Sequence, residues 1–244
     1  MKLLKVPAEN LLKAPAGAFF WPCLFSVLPL LTPLGFILPL KRDMKMGIAE
    51  RRYRQKEEVK SLILETAWKM ILEEGYPALS IRKVADAIEY SVPVIYSHFE
   101  GKDAILKEFV QKGYELLVKD LKQAKERHPN ACAQLEAMAM AYWDFAFANK
   151  EYYQLMFGLG IPSCESVRQV PEIQEFSELI QSVIRTSLAH ANRPDADYFL
   201  KYHTFWSILH GMISIQMNGA PHPREMGVRI LRDAVSGFIF ALQQ

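Results

Sequence analysis

The sequence predicts an all-α protein, and three observations support this fold class. Apolar residues recur at helical spacing through most of positions 55–244. Glycine is sparse, at 12 of 244 residues, and turn-forming clusters do not recur at the spacing that strands need. About half of the residues are hydrophobic, so a chain of this length can fill the core of one or two domains.

The first predicted helix covers residues 55–74. Its apolar positions repeat in steps of three and four, and they are Val59, Leu62, Ile63, Ala67, Met70 and Ile71. Gly75 and Pro77 then end the helix, because both residue types disfavour its continuation. The spacing therefore predicts a helix of about five turns with one buried face.

Basic residues cluster just before and within the start of this helix: Lys45, Arg51, Arg52, Arg54, Lys56 and Lys60. Such a lead-in can reach phosphates or the minor groove of DNA. The alternative is a solvated, frayed helix start. The formal net charge is only +2, so the charge argument for DNA binding is local.

Two short amphipathic helices follow within residues 80–103. In the first, the apolar positions are Ile81, Val84, Ala85 and Ile88, and Ser80 is a suitable N-cap. In the second, Ser91 is the predicted N-cap and Pro93 falls in the first turn, where its missing N–H costs little. Two short helices separated by about three residues have the dimensions of a helix-turn-helix.

The second short helix leaves several residues facing solvent. Ile95 and Phe99 are four residues apart and turn inward together. This leaves an outward set of Val92, Val94, Tyr96, Ser97 and His98. Contacts with thymine methyl groups and phosphates would explain apolar and hydroxyl side chains on such a surface. The alternative is that these residues pack on a neighbouring helix.

Residues 55–109 resemble the DNA-binding domain of the TetR family of transcriptional regulators. The resemblance rests on residue types in order: Gly75, Ser80, Val84-Ala85, Ser91, Ile95-Tyr96, Phe99 and Lys102. It implies an all-helical homodimer that binds a palindromic, double-stranded operator. It also implies a repressor that is released when a small, largely apolar effector enters the C-terminal domain.

The resemblance also assigns roles to individual residues. It places Tyr96 and Lys102 on phosphates, Ser80 at a helix cap that touches the DNA backbone, and Arg82 near base edges. The complete predicted DNA-binding set is Ser80, Arg82, Ser91, Val92, Pro93, Val94, Tyr96, Ser97, His98 and Lys102. Two positions depart from the family pattern, because Glu89 stands where glycine is frequent and Gly101 where serine is frequent. Glu89 therefore predicts a strained or altered turn.

Five longer helices are predicted after the helix-turn-helix, at residues 102–127, 133–149, 171–191, 195–217 and 224–242. A short break rich in Gly and Pro joins the last two, which predicts an antiparallel pair. The same pair from a second copy would complete a four-helix bundle and form a homodimer. The predicted domains are a DNA-binding domain at 47–104 and an effector-binding and dimerisation domain at 105–244.

The C-terminal half is rich in aromatic residues. The segment Trp206 to Gly211 resembles the Trp…His-Gly signature of one subclass of these regulators. The predicted effector-binding set is Trp143, Phe147, Tyr152, Met156, Phe157, Phe176, Tyr202, Trp206 and His210, with Phe199, His203 and Phe205 among the same aromatic stock. As a set they could line a pocket. The alternative for each single residue is ordinary core packing.

Motifs for catalysis and metal binding are missing from the sequence. There is no Gly-rich phosphate loop, GxSxG, HxxxH or HExxH pattern, so no metal, no cofactor and no enzymatic activity is expected. A helical enzyme remains an alternative. Cys23, Cys132 and Cys164 form no CxxC and no close pair, which is typical of reduced thiols in a cytoplasmic protein.

The first 43 residues do not fit such a regulator. Residues 14–40 carry no charge and are long enough to span a bilayer, but five prolines interrupt them. We expect that the natural start is Met44 or Met46 and that the preceding residues are not native. The alternatives are a membrane anchor or a disordered tail. Detection of a peptide from 14–40 in the native protein by mass spectrometry would refute the late start.

Overall fold

The computed structural model describes residues 47–158, 170–219 and 222–244. These residues contain nine α-helices and no strand. The helices are α1 (Ile48–Glu74), α2 (Ile81–Ala87), α3 (Val92–Tyr96), α4 (Lys102–Glu126), α5 (Ala131–Ala148), α6 (Lys150–Phe157), α7 (Pro171–His190), α8 (Tyr198–Asn218) and α9 (Arg224–Gln243). A 3-10 turn at Tyr76–Ala78 follows α1. The predicted all-α fold class is confirmed.

The first three helices enclose a small core. Ile63, Ala67 and Ile71 of α1 are buried together with Val84 and Ala85 of α2 and Ile95 of α3. Their spacing of three and four residues places each set on one helix face. Gly75 allows the sharp exit from α1, because its φ of 80° with ψ of 159° is a conformation open mainly to glycine.

Helix starts differ from the sequence prediction where a cap or a longer helical run determines them. Helix α1 begins at Ile48, seven residues before the predicted start, so Arg51, Arg52 and Arg54 lie on a helix. Helix α8 begins at Tyr198 because the Asp197 carboxylate accepts a hydrogen bond from the Leu200 N–H at 2.9 Å. Asn130 caps α5 in the same way, through the Ala133 N–H at 2.8 Å.

The larger core is built around α4 and α5. Helix α4 packs against α5, α6 and α7, and α9 packs against α5, α7 and α8. The largest fully buried side chains in this core include Trp143, Tyr142 and Phe145 of α5 and Phe205 of α8. Full burial of one large apolar side chain stabilises the fold by about 1.5–3 kcal/mol relative to leaving that side chain exposed.

Residues Gly47–Gln244 form one compact unit. Helix α4 passes through the domain boundary that was predicted at 104/105. None of the helices that the structure describes is apolar over enough length to cross a membrane. The 1–43 extension and the apolar run at 14–40, to which the late-start and membrane-anchor interpretations apply, lie outside the described residues.

Candidate functional site

Helices α2 and α3 form the predicted helix-turn-helix. The Ser80 hydroxyl accepts a hydrogen bond from the Lys83 N–H at 3.4 Å, so Ser80 caps α2. The turn between the helices bends at Glu89, whose φ of 58° is the left-handed conformation that glycine adopts most easily. Tyr90 N–H donates to the Ala85 carbonyl at 3.0 Å and closes this turn. The altered turn that was predicted at Glu89 is therefore a strained backbone position.

The outer face of α3 is open to solvent. Ser91, Pro93, Tyr96 and Ser97 are exposed, and Tyr96 is 54% exposed. Ser91 occupies the predicted N-cap position, but its side chain makes no capping hydrogen bond. The Ser97 hydroxyl donates to the Val94 carbonyl at 2.7 Å. This face combines hydroxyl groups with the aromatic ring of Tyr96.

Three residues that were predicted to face outward are half-buried in the structure. Val92, Val94 and His98 have intermediate exposure, and Val92 packs against the hydrophobic core. His98 Nδ1 is buried without a hydrogen-bond partner among the described residues. Burial, and secondarily the charge of Lys56, lower the pKa of His98. The prediction that this set faces outward is therefore corrected for Val92, because a five-residue helix must also cover the core beneath it.

The basic residues of the DNA-binding part differ in whether a carboxylate pairs with them. Lys83 pairs with Glu74 at 2.7 Å, and Lys60 pairs with Glu108 at 2.7 Å. Arg82 is exposed, and no ion pair is found for it within the described part of the chain. Lys102 Nζ donates to the Pro77 carbonyl at 3.1 Å, which holds this lysine at the first position of α4. Neither Lys102 nor Arg82 is neutralised by a carboxylate of the residues that the structure describes.

The basic residues at the start of α1 are solvent-exposed. Arg51, Arg52, Arg54 and Lys56 all lie on exposed positions, and Arg54 pairs with Glu58 at 3.4 Å. A surface pair of this kind contributes at most about 1 kcal/mol, so Arg54 can exchange its partner at low cost. The frayed start that was considered for this segment is not what the structure shows, because α1 is already helical at Ile48.

A cavity of about 600 Å³ lies beside α6 and α8. Its lining residues are Tyr76, Tyr153, Gln154, Phe157, Gly158, His210, Ser214, Met217 and Asn218. Tyr153 hydrogen-bonds His210 Nδ1 at 2.7 Å, and Trp206 stacks on His210 with ring centroids 5.2 Å apart. Burial lowers the pKa of His210 and raises the pKa of Tyr153, so both groups are uncharged at neutral pH.

The predicted effector-binding residues do not line one common cavity in the described structure. Phe157 and His210 line the cavity beside α6 and α8, and Trp206 stacks on His210. The others pack elsewhere. Trp143 contacts Phe147, Tyr152 stacks on Trp68, Met156 lies against Gly113, Phe176 contacts Tyr114, and Tyr202 hydrogen-bonds Ser177. Phe205 is fully buried, whereas Phe199 and His203 are exposed. Most of this set packs in or against the hydrophobic core, and its role in effector binding stays a prediction.

Sequence reasoning did not select several residues that line the cavity. Tyr153 lies between the predicted residues Tyr152 and Met156, and helical spacing alone does not distinguish a lining residue from a core residue there. Ser214 and Met217 follow His210 at helical spacing, which was an available signal. Tyr76 carried no such signal, because it belongs to the segment after α1 and reaches the cavity only through the fold.

No group of three or more His, Cys, Asp or Glu side chains suited to a metal ion occurs within 47–158, 170–219 and 222–244. The capped α2, the strained turn and the open α3 face instead define a helix-turn-helix protein, the class that places one helix in the major groove of DNA.

Comparisons with known proteins agree with this class. A sequence model described as "Bacterial regulatory proteins, tetR family" matches residues 63–109, and one described as "Tetracyclin repressor-like, C-terminal domain" matches residues 135–238. The two matches together span more than half of the chain. The chain belongs to the TetR family and is a DNA-binding transcriptional regulator, not an enzyme.

Individual relatives are distant. The HTH-type transcriptional activator FasR of Mycolicibacterium smegmatis is 28% identical over 102 residues, which are 42% of this chain and 47% of that protein. The match thus spans about half the length of this curated relative. The TetR family regulator PfmR from Thermus thermophilus has 25% identity and a TM-score of 0.55, covering 71% of this chain and 96% of that chain. A TetR/AcrR family regulator from Thermobifida fusca has 19% identity and a TM-score of 0.56, covering 74% of this chain and 98% of that chain.

Proposed function

We propose that this regulator binds a palindromic operator as a homodimer and that α3 of each copy enters the major groove. The observation that carries the proposal is the open face of α3, where Tyr96 is 54% exposed between Ser91 and Ser97. An exposed tyrosine flanked by hydroxyl groups is well suited to contact phosphates and base edges.

The roles within the interface follow from chemistry. Tyr96, Lys102 and Ser80 would contact phosphates, because a hydroxyl, an ammonium group and the free N–H groups of a helix start all favour anions. Arg82 would read a base edge, since its guanidinium is exposed and guanine accepts two hydrogen bonds from it. The remaining members of the proposed interface are Ser91, Val92, Pro93, Val94, Ser97 and His98. Val94 would meet a thymine methyl group.

The homodimer would form through α8 and α9. Half of the large hydrophobic side chains that remain exposed among the described residues lie on these two helices: Tyr198, Phe199, Leu200, Ile215, Met226 and Phe240. One face of α8 consists of Leu200, Thr204, Ser207, Gly211 and Ile215, and it carries no charge. Small and apolar residues at this spacing allow two helices to approach closely. A second copy would cover this surface.

The proposed control is repression that is relieved by a small-molecule effector. The cavity beside α6 and α8 falls within the size range of ligand sites and mixes aromatic rings with a few polar groups. A small molecule that binds more tightly to a conformation with another spacing of the two α3 helices would shift the dimer toward that conformation. The dimer would then bind its operator more weakly. Activation is the second candidate, because the relative FasR is named a transcriptional activator.

A selection from random duplex DNA tests the DNA-binding proposal. Purified protein would be incubated with the library, and bound sequences would be recovered and read. We expect a palindrome with half-sites about 10 base pairs apart, or a multiple of that spacing, because a two-fold dimer presents two α3 helices to one side of the duplex. A protein that stays monomeric and shows no sequence preference at moderate salt would refute the proposal.

A reporter assay then separates repression from activation. The selected operator would be placed at two positions in a promoter, once overlapping the polymerase site and once upstream of it. Repression predicts lower reporter output from the overlapping operator and no change from the upstream one. Higher output from the upstream operator would instead identify an activator.

A further inference from the structure

The cavity beside α6 and α8 lies against the DNA-binding part of the chain. Tyr76 is part of its wall, although this residue belongs to the 3-10 turn that links α1 to α2. A Cβ atom placed on Gly158 at the end of α6 would lie 3.8 Å from the Tyr76 hydroxyl. A molecule in this cavity would therefore contact the segment from which α2 begins.

Aromatic side chains also connect α6 with α1 of the DNA-binding part. The ring of Trp68 on α1 stacks on Tyr152 of α6, with centroids 4.1 Å apart and planes 21° apart. Trp68 also contacts Phe109 of α4 at 5.1 Å. Because α6 carries both Tyr152 and the cavity residues Tyr153 and Phe157, a shift of α6 would be transmitted to α1 through rigid rings.

The polar groups of the cavity have a defined hydrogen-bonding pattern. The Tyr153 hydroxyl lies 2.7 Å from Nδ1 of a neutral His210. We assign the tyrosine as the donor, and this assignment leaves the hydrogen of the imidazole on Nε2. That Nε2–H is only loosely met by the Ser214 hydroxyl, at 3.5 Å. Both His210 and Ser214 line the cavity, so this donor is available to an oxygen atom of a bound molecule.

The described residues of the cavity wall carry no charged side chain to match an ion. They include tyrosine, phenylalanine, methionine, histidine, serine and side-chain amides, but no Lys, Arg, Asp or Glu. Transfer of a carboxylate or phosphate into such a site removes its hydration without supplying a counter-ion. An uncharged hydroxyl, ketone or ester oxygen loses much less and can accept from His210.

We propose that this cavity binds an uncharged, mainly apolar molecule with a hydroxyl, ketone or ester oxygen, and that Tyr76 communicates its presence to the DNA-binding helices. This inference rests on the proposed function, because it names the effector class and the site of its action. It adds to that function a location for the effector. The effector would lie against the DNA-binding part of the chain rather than wholly within the C-terminal helices.

The ligand class is tested by calorimetry on the full chain with three probes: 1-octanol, 2-octanone and octanoate. We expect the two neutral probes to bind and octanoate to bind at least about tenfold more weakly, because only the carboxylate lacks a compensating charge. His210→Phe should weaken 2-octanone by about tenfold through loss of the donor. Ser214→Leu, which fills the part of the cavity beside His210, should weaken binding of 2-octanone, and Asn218→Leu replaces it if the first variant does not fold.

The coupling is tested as a ratio of operator affinities with and without saturating 2-octanone. Tyr76→Leu should bring this ratio close to one when the probe concentration is raised to saturate this variant, as calorimetry on the variant itself establishes. Tyr90→Leu is the matched control, because Tyr90 is another tyrosine of the DNA-binding part, in the turn between α2 and α3, and is not among the residues that line the cavity. Its ratio should equal that of the unmodified protein, since any effect on DNA contacts acts in both ligand states.

Several results would overturn the proposal. They are equal or tighter binding of octanoate, no binding of either neutral probe, full binding by both cavity-filling variants, or a ratio that Tyr76→Leu leaves unchanged. Failure of the proposed function gives a different pattern. In that case the chain shows no operator preference, while calorimetry still reports whether neutral probes enter the cavity.

Discussion

Arg82 and Lys83 are neighbours on α2, yet the structure gives them different surroundings. Lys83 is paired with Glu74 at 2.7 Å, whereas Arg82 is exposed and has no carboxylate partner among the described residues. The two residues therefore form a matched pair for testing base readout.

Arg82→Ala should relax sequence choice at one base pair of the operator. The expected loss of discrimination is about 1–3 kcal/mol, because a bidentate arginine contact with guanine is removed. Lys83→Ala should leave the preference unchanged. Binding to the selected operator and to each single-base variant measures both effects. An Arg82→Ala protein with the original preference profile would show that Arg82 does not read a base.

Glu89 occupies a strained backbone position that glycine would relieve. Its φ is 58°, and this conformation costs a residue with a Cβ about 1–2 kcal/mol. Glu89→Gly should therefore stabilise the fold by about 0.5–1 kcal/mol after the greater entropy of the unfolded glycine chain is subtracted. Asn192 has a φ of 57°, but asparagine tolerates this region, so Asn192→Gly should gain less. Urea unfolding of both variants provides the comparison, and equal gains would argue against strain at Glu89.

His210 predicts a dependence of stability on pH. Burial lowers the pKa of His210 below the ordinary value of 6.5, so only the unfolded chain binds the proton just below that pH. Stability should be complete above about pH 6.5 and should fall as the pH drops below it. His210→Gln should make the melting temperature less sensitive to pH between about 7 and 5. Parallel curves for His210→Gln and the unmodified protein would contradict this account.

At the scale of helices, two buried glycines let a side chain of another helix approach closely. The approaching side chain is fixed in one case and flexible in the other. A Cβ on Gly227 of α9 would lie 3.0 Å from Trp143 Cη2, and this indole is 1% exposed and held in the core. A Cβ on Gly113 of α4 would lie 2.6 Å from Met156 Sδ, which belongs to a flexible side chain. The same added methyl group therefore meets a fixed neighbour in one case and a movable one in the other.

Gly227→Ala should destabilise the protein more than Gly113→Ala does. Overpacking against a fixed ring costs about 1–3 kcal/mol, which exceeds the helix-propensity gain of about 1 kcal/mol from replacing glycine. Adding Trp143→Phe should recover part of the loss in the Gly227→Ala background, because the smaller ring vacates the contact. Denaturant unfolding of the single and double variants measures this coupling. Strictly additive effects would show that the two residues do not clash.

At the scale of the whole molecule, the exposed apolar surface on α8 and α9 determines the expected assembly. Ile215 is 61% exposed and Phe240 is 63% exposed. Apolar side chains this open on two adjacent helices are typical of an interface between subunits. Leu72 on α1 is also exposed, at 53%, but it lies outside the proposed interface and serves as the control.

Ile215→Glu and Phe240→Glu should each shift the protein toward monomer and weaken operator binding. A buried glutamate without a partner opposes association, and a monomer contacts only one half-site. Leu72→Glu should leave the dimer intact. Sedimentation velocity gives the oligomeric state, and gel-shift titration gives the operator affinity. A dimer that persists in both interface variants would place the contact on another surface.

The sequence alone determined the helical class, the order of the helices and the helix-turn-helix, because these depend on local spacing, caps and helix-breaking residues that act within a few residues. It also indicated the strained turn at Glu89, since the requirement for a left-handed residue there is local. Tertiary structure decided what local spacing leaves open. It turned Val92 toward the core and joined Phe157, Phe176 and Trp206 through ring contacts that include Tyr142. It also brought Tyr76 to the cavity of α6 and α8. Helical periodicity shows which residues share a face, but the packing of distant helices determines whether that face meets a core, a cavity or solvent.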